Sequence, residues 1–422
     1  MTRLHRNSGF GRTWKHTGAR SWLRIAESGC AVVVLAASVS AAPTALAPAN
    51  AQRAAVTLTS GSADPLSPLG DGTALFMGGT GIPQPNQLYM NAQNELYLAP
   101  LGFDGELQSL FYPANTSSTS QARGQQVLNS TILQYLNNGE ANPAHPLIIS
   151  GYSQSSAISS AVMRQLEGQN IPSSDVHFVL FGNPNNPVGG MTVATSILYP
   201  QYLQDYVATP NNLYPTDVYT LEYDGVGDFP KYPLNLLADL NAALGFFYEH
   251  PTYFSLTAEQ VGAAVQLPTS TADSMVNYYM IPADSLPLLD PLRLIPIVGQ
   301  PLYDLLEPAT RVLVNLGYGN IDHGWATGDA DVVTSPGLFP TEVNIGDVLG
   351  ALGNGVVQGV GDFFDALKDP ATYQIVPLTE NPSLANVLDA AYLFGFLDTP
   401  QPTLPEALQG LGEVILAFSA MT

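Results

Sequence analysis

The chain reads as an α/β protein built on a mainly parallel sheet, and three observations carry that reading. An apolar strand, Leu147-Ile-Ile-Ser150, a proline-free and glycine-free helix, Ala157 to Glu167, and a second strand, Val176-His-Phe-Val-Leu-Phe181, follow one another. Strand, helix and strand within about 35 residues form a βαβ unit, which makes the two strands parallel. Between the first strand and the helix stands Gly151-Tyr-Ser-Gln-Ser155, the layout of a nucleophile elbow. A third strand, Asp217 to Tyr223, runs straight into Asp224-Gly-Val-Gly-Asp228. That puts two acids at the carboxyl end of a strand, where parallel sheets keep their reactive groups.

Taken in order, the chain opens with residues 1–51, which hold six of its 13 basic residues, the apolar run Ala31 to Ala47, and Ala49-Asn-Ala51. This is the pattern of a secretory signal or an N-terminal anchor, and it predicts a secreted or envelope location. Cys30 falls inside it, so thiol chemistry and cysteine metal sites are excluded from the rest of the chain. The net charge is −22; beyond residue 51, seven basic residues face 34 acidic ones, a balance of −27. Such a surface repels nucleic acid and anionic headgroups and suits neutral or apolar partners. Residues 52–70 read as a flexible lead-in. Thr73 to Met77 reads as a central strand and ends in Gly78-Gly-Thr-Gly-Ile-Pro83. With no G-x-G-x-x-G and no Gly-Lys pair in the chain, a phosphate loop is excluded. The glycines instead fit a backbone that approaches a ligand oxygen, with Thr80 adding a hydroxyl donor.

A helix is expected over 121–137 from the core spacing of Val127, Leu128, Ile132, Leu133 and Leu136. His177 alternates within its strand and reads as structural. A helix over Leu234 to Phe247 leads to His250-Pro-Thr-Tyr253. Residues 255–310 read as a helical, proline-interrupted insertion and a candidate lid, with the apolar run Leu286 to Val298 suited to lining an acyl pocket. Val312 to Leu316 reads as a last strand. The hydrolase-type domain is bounded at 71–345, followed by a helical extension over 346–422.

The chemistry follows from residue types. A serine hydroxyl is a weak nucleophile and needs a histidine within reach, itself held by a third group. Ser153 is the nucleophile by position, and the order serine, acid, histidine matches the α/β-hydrolase order. The residues alone leave Asp224 and Asp228 as candidate acids, and His250 and His323 as candidate bases. Gln154, first after the serine, would supply a backbone N–H to an oxyanion.

Gly78-Gly-Thr-Gly-Ile-Pro83, Gly151-Tyr-Ser-Gln-Ser155, Leu180-Phe-Gly-Asn-Pro184, Tyr223 to Pro230, Leu286 to Arg293 and Leu316-Gly-Tyr-Gly319 together resemble the PE-PPE C-terminal domain, a cutinase-like serine hydrolase domain of mycobacteria. The resemblance covers about residues 70–345. It implies a cutinase-like α/β-hydrolase fold that acts on fatty acyl esters or glycolipids without metal or cofactor. Some exported members without a PE or PPE leader act as acyltransferases on trehalose glycolipids. It favours Asp228, because Gly227-Asp228 matches the cutinase Gly-Asp pair, and His250, because a tyrosine follows it. It also puts Thr80 and Gln154 in the oxyanion hole. The cutinase disulfides are missing. Two rival readings are an acyltransferase and a non-catalytic lipid-binding envelope protein, with peripheral association with envelope lipid as a further expectation.

Overall fold

A computed structural model describes residues 69–195, 208–333 and 336–419. The expected leader and most of the lead-in lie outside them. Seven strands make one sheet: β1 (Thr73–Met77), β2 (Glu106–Ser109), β3 (Leu147–Tyr152), β4 (Val176–Phe181), β5 (Thr216–Leu221), β6 (Val265–Leu267) and β7 (Val276–Ile281). Their order is β2-β1-β3-β4-β5-β7-β6, parallel throughout except for the β6/β7 pair. β3, β4 and β5 are buried along their whole length, as parallel strands covered on both faces must be.

The two faces read directly off the alternation of side chains. Ile148, Val179 and Phe181 point into one core. Leu147, Ile149, Phe178 and Leu180 point into the other. The second core is closed by α2 (Ser118–Asn137) and α3 (Gln154–Gly168), which bury Leu128, Ile132, Ile158, Val162 and Leu166. Each such side chain contributes about 1.5–3 kcal/mol. The first core is closed by α1 (Gln87–Gln93), α4 (Leu236–Tyr248) and two helices of the C-terminal extension, α7 (Pro382–Phe394) and α8 (Leu404–Ser419).

That extension is therefore part of the core. Leu384, Val387, Leu388 and Phe394 share a cluster with Tyr152 and Phe254. The Ser255 hydroxyl donates to the Asn386 carbonyl (2.8 Å), and the Asn86 amide donates to the Leu393 carbonyl (2.9 Å). Two expectations are corrected. The segment 255–310 is not wholly helical, because Val276-Asn-Tyr-Tyr-Met-Ile281 pairs with β5 over its full length; β-branched and aromatic residues outweigh the proline-rich run beside them. Val312 to Leu316 is not a strand but the end of α5 (Gly299–Asn315), a helix that carries Pro308 inside it. Helix α6 (Ile345–Lys368) packs on α5 through Gly355 and Gly359. A Cβ on Gly359 would lie 2.2 Å from the Leu305 carbonyl oxygen, so the two backbones meet where side chains are absent.

Candidate active site

The site is assembled at the carboxyl ends of β1, β3, β4 and β5. Ser153 follows β3 with φ +57° and ψ −117°, a conformation that L-residues rarely adopt and that persists only when neighbours enforce it. The enforcement is visible. The Ser153 N–H donates to the Phe181 carbonyl (2.9 Å). The Ser155 hydroxyl donates to the Met77 carbonyl (2.8 Å) and accepts from the Tyr152 N–H (2.8 Å). The serine that replaces the usual glycine at the end of the elbow thus ties β3 to β1, a role its small size alone did not announce. A Cβ on Gly151 would lie 3.1 Å from both the Ser155 carbonyl oxygen and the Ser159 hydroxyl, so a larger residue two before the nucleophile would crowd the start of α3.

His250 begins a 3-10 turn, His250–Phe254, directly after α4. Its Nε2 lies 2.9 Å from Ser153 Oγ. Its Nδ1 lies 2.9 Å from Asp224 Oδ1 and 3.0 Å from Asp224 Oδ2. Ser153, His250 and Asp224 are all fully buried. The imidazole stacks on Tyr152 (5.1 Å between centroids) and Phe246 (5.7 Å), and the Tyr152 hydroxyl donates to the His250 carbonyl (2.8 Å). Gly182, at φ +51°, leaves room for the ring, because a Cβ there would sit 2.8 Å from His250 Cε1. That is the local reason for glycine in Phe181-Gly-Asn183.

The structure brings Asp224, and not the expected Asp228, to His250. The turn after β5 folds back on itself: the Val226 N–H donates to Asp224 Oδ1 (2.8 Å) and the Asp228 N–H to the Asp224 carbonyl (2.7 Å). This aims Asp224 at the imidazole and turns Asp228 away. Asp228 Oδ2 accepts the Tyr223 N–H (3.0 Å), while its Oδ1 is buried without a hydrogen-bond partner among the described residues. Burial pushes the Asp228 carboxyl well above the usual carboxylate range, because desolvation penalises its charged form.

His323 is not brought to the serine. It stacks on Trp325 (3.9 Å), with Nδ1 3.3 Å from the Asn320 amide, and burial lowers its pKa. Its loop is pinned elsewhere: the Gly324 N–H donates to Glu222 (2.6 Å), and a Cβ on Gly324 would meet the Tyr223 ring at 1.9 Å. His177 pairs with Asp217 (2.8 Å) inside the sheet, as a structural histidine does.

The two oxyanion candidates flank Ser153. A Cβ on Gly79 would lie 3.0 Å from Ser153 Cβ, so the loop that carries Thr80 passes beside the nucleophile. Thr80 is 2% exposed, and its hydroxyl has no hydrogen-bond partner among the described residues. A buried orphan hydroxyl is costly unless a ligand completes it. Gln154 opens α3, so its backbone N–H is one of the first-turn donors that have no acceptor within the helix. Its side-chain amide donates to the Asn115 carbonyl (3.0 Å). Among the described residues no three His, Cys, Asp or Glu side chains are grouped as a metal site needs.

With this geometry in view, the sequence matches the model of the PE-PPE domain over residues 99–319. The chain belongs to the PE-PPE domain family. The matched region begins after α1 and β1 and runs through the elbow, both acids and His250. Three curated relatives from Mycobacterium tuberculosis illustrate the family. An uncharacterized PPE family protein, PPE28, is 44% identical over 68% of this chain and 45% of its own. Esterase PE16 is 39% identical over 70% of this chain and 57% of its own. Diacyltrehalose acyltransferase Chp2 is 25% identical over 64% of this chain and 77% of its own. The chain spans about half the length of the first two. Its mainly parallel sheet flanked by helices is an α/β arrangement.

Proposed function

We propose that this chain is a serine acyl-ester hydrolase of the esterase or lipase type. The observation that carries the reading is the continuous path from Ser153 Oγ through both nitrogens of His250 to Asp224, with contacts of 2.9 and 2.9 Å. Ser153 attacks the carbonyl carbon of a fatty acyl ester while His250 Nε2 takes the hydroxyl proton. Asp224 holds the tautomer and stabilises the imidazolium. The Thr80 hydroxyl and the Gln154 N–H receive the oxyanion. The alcohol departs with the proton from His250, and water then attacks the acyl-enzyme. The name of the relative PE16 supports ester substrates, and the acidic surface suits uncharged ones. The composition of residues 1–51 supports action outside the cell.

A second reading, transfer of the acyl group to a trehalose glycolipid, is favoured by the relative named for that activity. The two differ only in whether water or a sugar hydroxyl meets the acyl-enzyme. The test combines a fluorophosphonate label with p-nitrophenyl acyl esters, with and without trehalose lipid acceptors. Labelling and turnover that vanish in Ser153→Ala support the serine mechanism, and acylated sugar in excess of free acid favours transfer. Folded protein that neither labels nor turns over ester would leave a lipid binder instead.

A further inference from the structure

The Asp224 carboxylate makes few contacts, and one of them comes from a residue to which the proposed mechanism gives no role. Oδ1 accepts from the Val226 N–H and His250; Oδ2 accepts from His250 and from the Tyr253 hydroxyl at 2.7 Å. Among the described residues no Lys or Arg pairs with Asp224. Among the described residues Tyr253 is thus its one side-chain donor besides the histidine.

The tyrosine is itself held on every side. It is fully buried, and its ring lies among Tyr152, Phe181 and Phe254. Its carbonyl accepts from the Tyr97 hydroxyl (2.6 Å). Its hydroxyl oxygen accepts the N–H of Leu221, the last residue of β5 (2.9 Å). A phenol carries one proton. With its oxygen already accepting from Leu221, that proton has one place to go, Asp224 Oδ2. Tyr253 stands three residues after His250 on the same 3-10 turn, so one rigid turn presents both partners to a single carboxylate.

We propose that Tyr253 is a positioning residue of the triad: its hydroxyl fixes the plane of the Asp224 carboxylate and lowers its basicity, and so sets the orientation and proton affinity of His250. This rests on the Ser153–His250–Asp224 reading. Burial and the neighbouring Asp224 carboxylate raise the Tyr253 pKa well above that of a free phenol, so it stays a donor throughout the working range. The other ionisable groups around His250 and Asp224 are Tyr152 from β3, Glu222 after β5, Asp228, Glu249 and Tyr318. Burial raises the pKa of both tyrosines, Asp228 and Glu249.

The experiment uses the full chain, p-nitrophenyl butyrate and fluorophosphonate titration of active sites. In Tyr253→Phe, kcat per titrated site falls about tenfold or more, the range of a hydrogen bond to a charged group, while KM is unchanged. Deprived of a donor, Asp224 becomes more basic and holds the imidazolium more tightly. The acid limb of kcat/KM therefore moves up by about half a pH unit or more. In the Asp224→Asn background the same change adds no further loss, because coupled residues are not additive. A merely structural tyrosine would lower Tm and the titratable fraction and leave the acid limb in place. Should Tyr253→Phe fail to fold, 3-fluorotyrosine at 253 keeps the ring and strengthens the donor, and the acid limb then moves down. A wild-type acid limb in either variant overturns the role of Tyr253, provided Ser153→Ala and Asp224→Asn are both inactive. If those two remain active, the triad reading itself fails.

Discussion

Two carboxyl groups stand four residues apart at the end of β5, and exchanging each for its amide separates their roles. In Asp224→Asn the side chain keeps its size but loses the anion facing His250 Nδ1 at 2.9 Å. The imidazole then loses both its orienting charge and its tautomer, which in a serine triad costs about 10⁴ in kcat, or about 5.5 kcal/mol. In Asp228→Asn a buried carboxyl that faces the Tyr223 N–H gives way to an amide of the same size. The amide oxygen can still accept the Tyr223 N–H, as Asp228 Oδ2 does at 3.0 Å. The expected change in kcat is less than about threefold, since nothing at the imidazole alters. The assay is kcat on a p-nitrophenyl ester, normalised to fluorophosphonate-titrated sites, with circular dichroism as a check on folding. The opposite ranking, Asp228→Asn down a thousandfold and Asp224→Asn close to wild type, would refute the assignment of the acid and with it the role given to Tyr253.

The remaining predictions concern the oxyanion and pH. Thr80→Ala should lower kcat by roughly 100-fold to 1000-fold with little change in KM, whereas Thr80→Ser, which keeps the hydroxyl, should stay within about tenfold of wild type; equal losses in both would remove the hydroxyl from the mechanism. The raised Asp228 pKa also makes a stability prediction. Unfolded, this carboxyl releases its proton near its ordinary value of 3.8; folded, it releases it only well above that. As pH rises through that window the unfolded state binds fewer protons than the folded one, so the residue destabilises the fold progressively. Asp228→Asn should therefore gain stability relative to wild type as pH rises above about 4, by at most about 1.4 kcal/mol per pH unit. Thermal melts across that range read the difference directly, and a gap that narrows with rising pH would contradict it.

What the amino-acid sequence determined by itself was whatever depends on neighbouring residues. The β3–elbow–α3 unit was legible because Gly151, Ser153 and Ser155 each meet a requirement of one sharp turn, and because buried strands write their own apolar runs. Thr73 to Met77 and Val176 to Phe181 were legible for the same reason. Tertiary structure alone decided the rest. β7 became a strand because β5 offered it an edge, and α5 stayed helical through Pro308 because α6 packs its glycines against it. The choice between Asp224 and Asp228 also lay beyond local pattern. Both are buried acids in one short turn, and which one faces the imidazole depends on partners that arrive from elsewhere. His250 and Tyr253, 26 and 29 residues downstream, reach one of them, and the other is left with a backbone N–H. Desolvation makes a buried carboxyl neutral unless such partners are supplied, and a linear chain does not state who its partners will be.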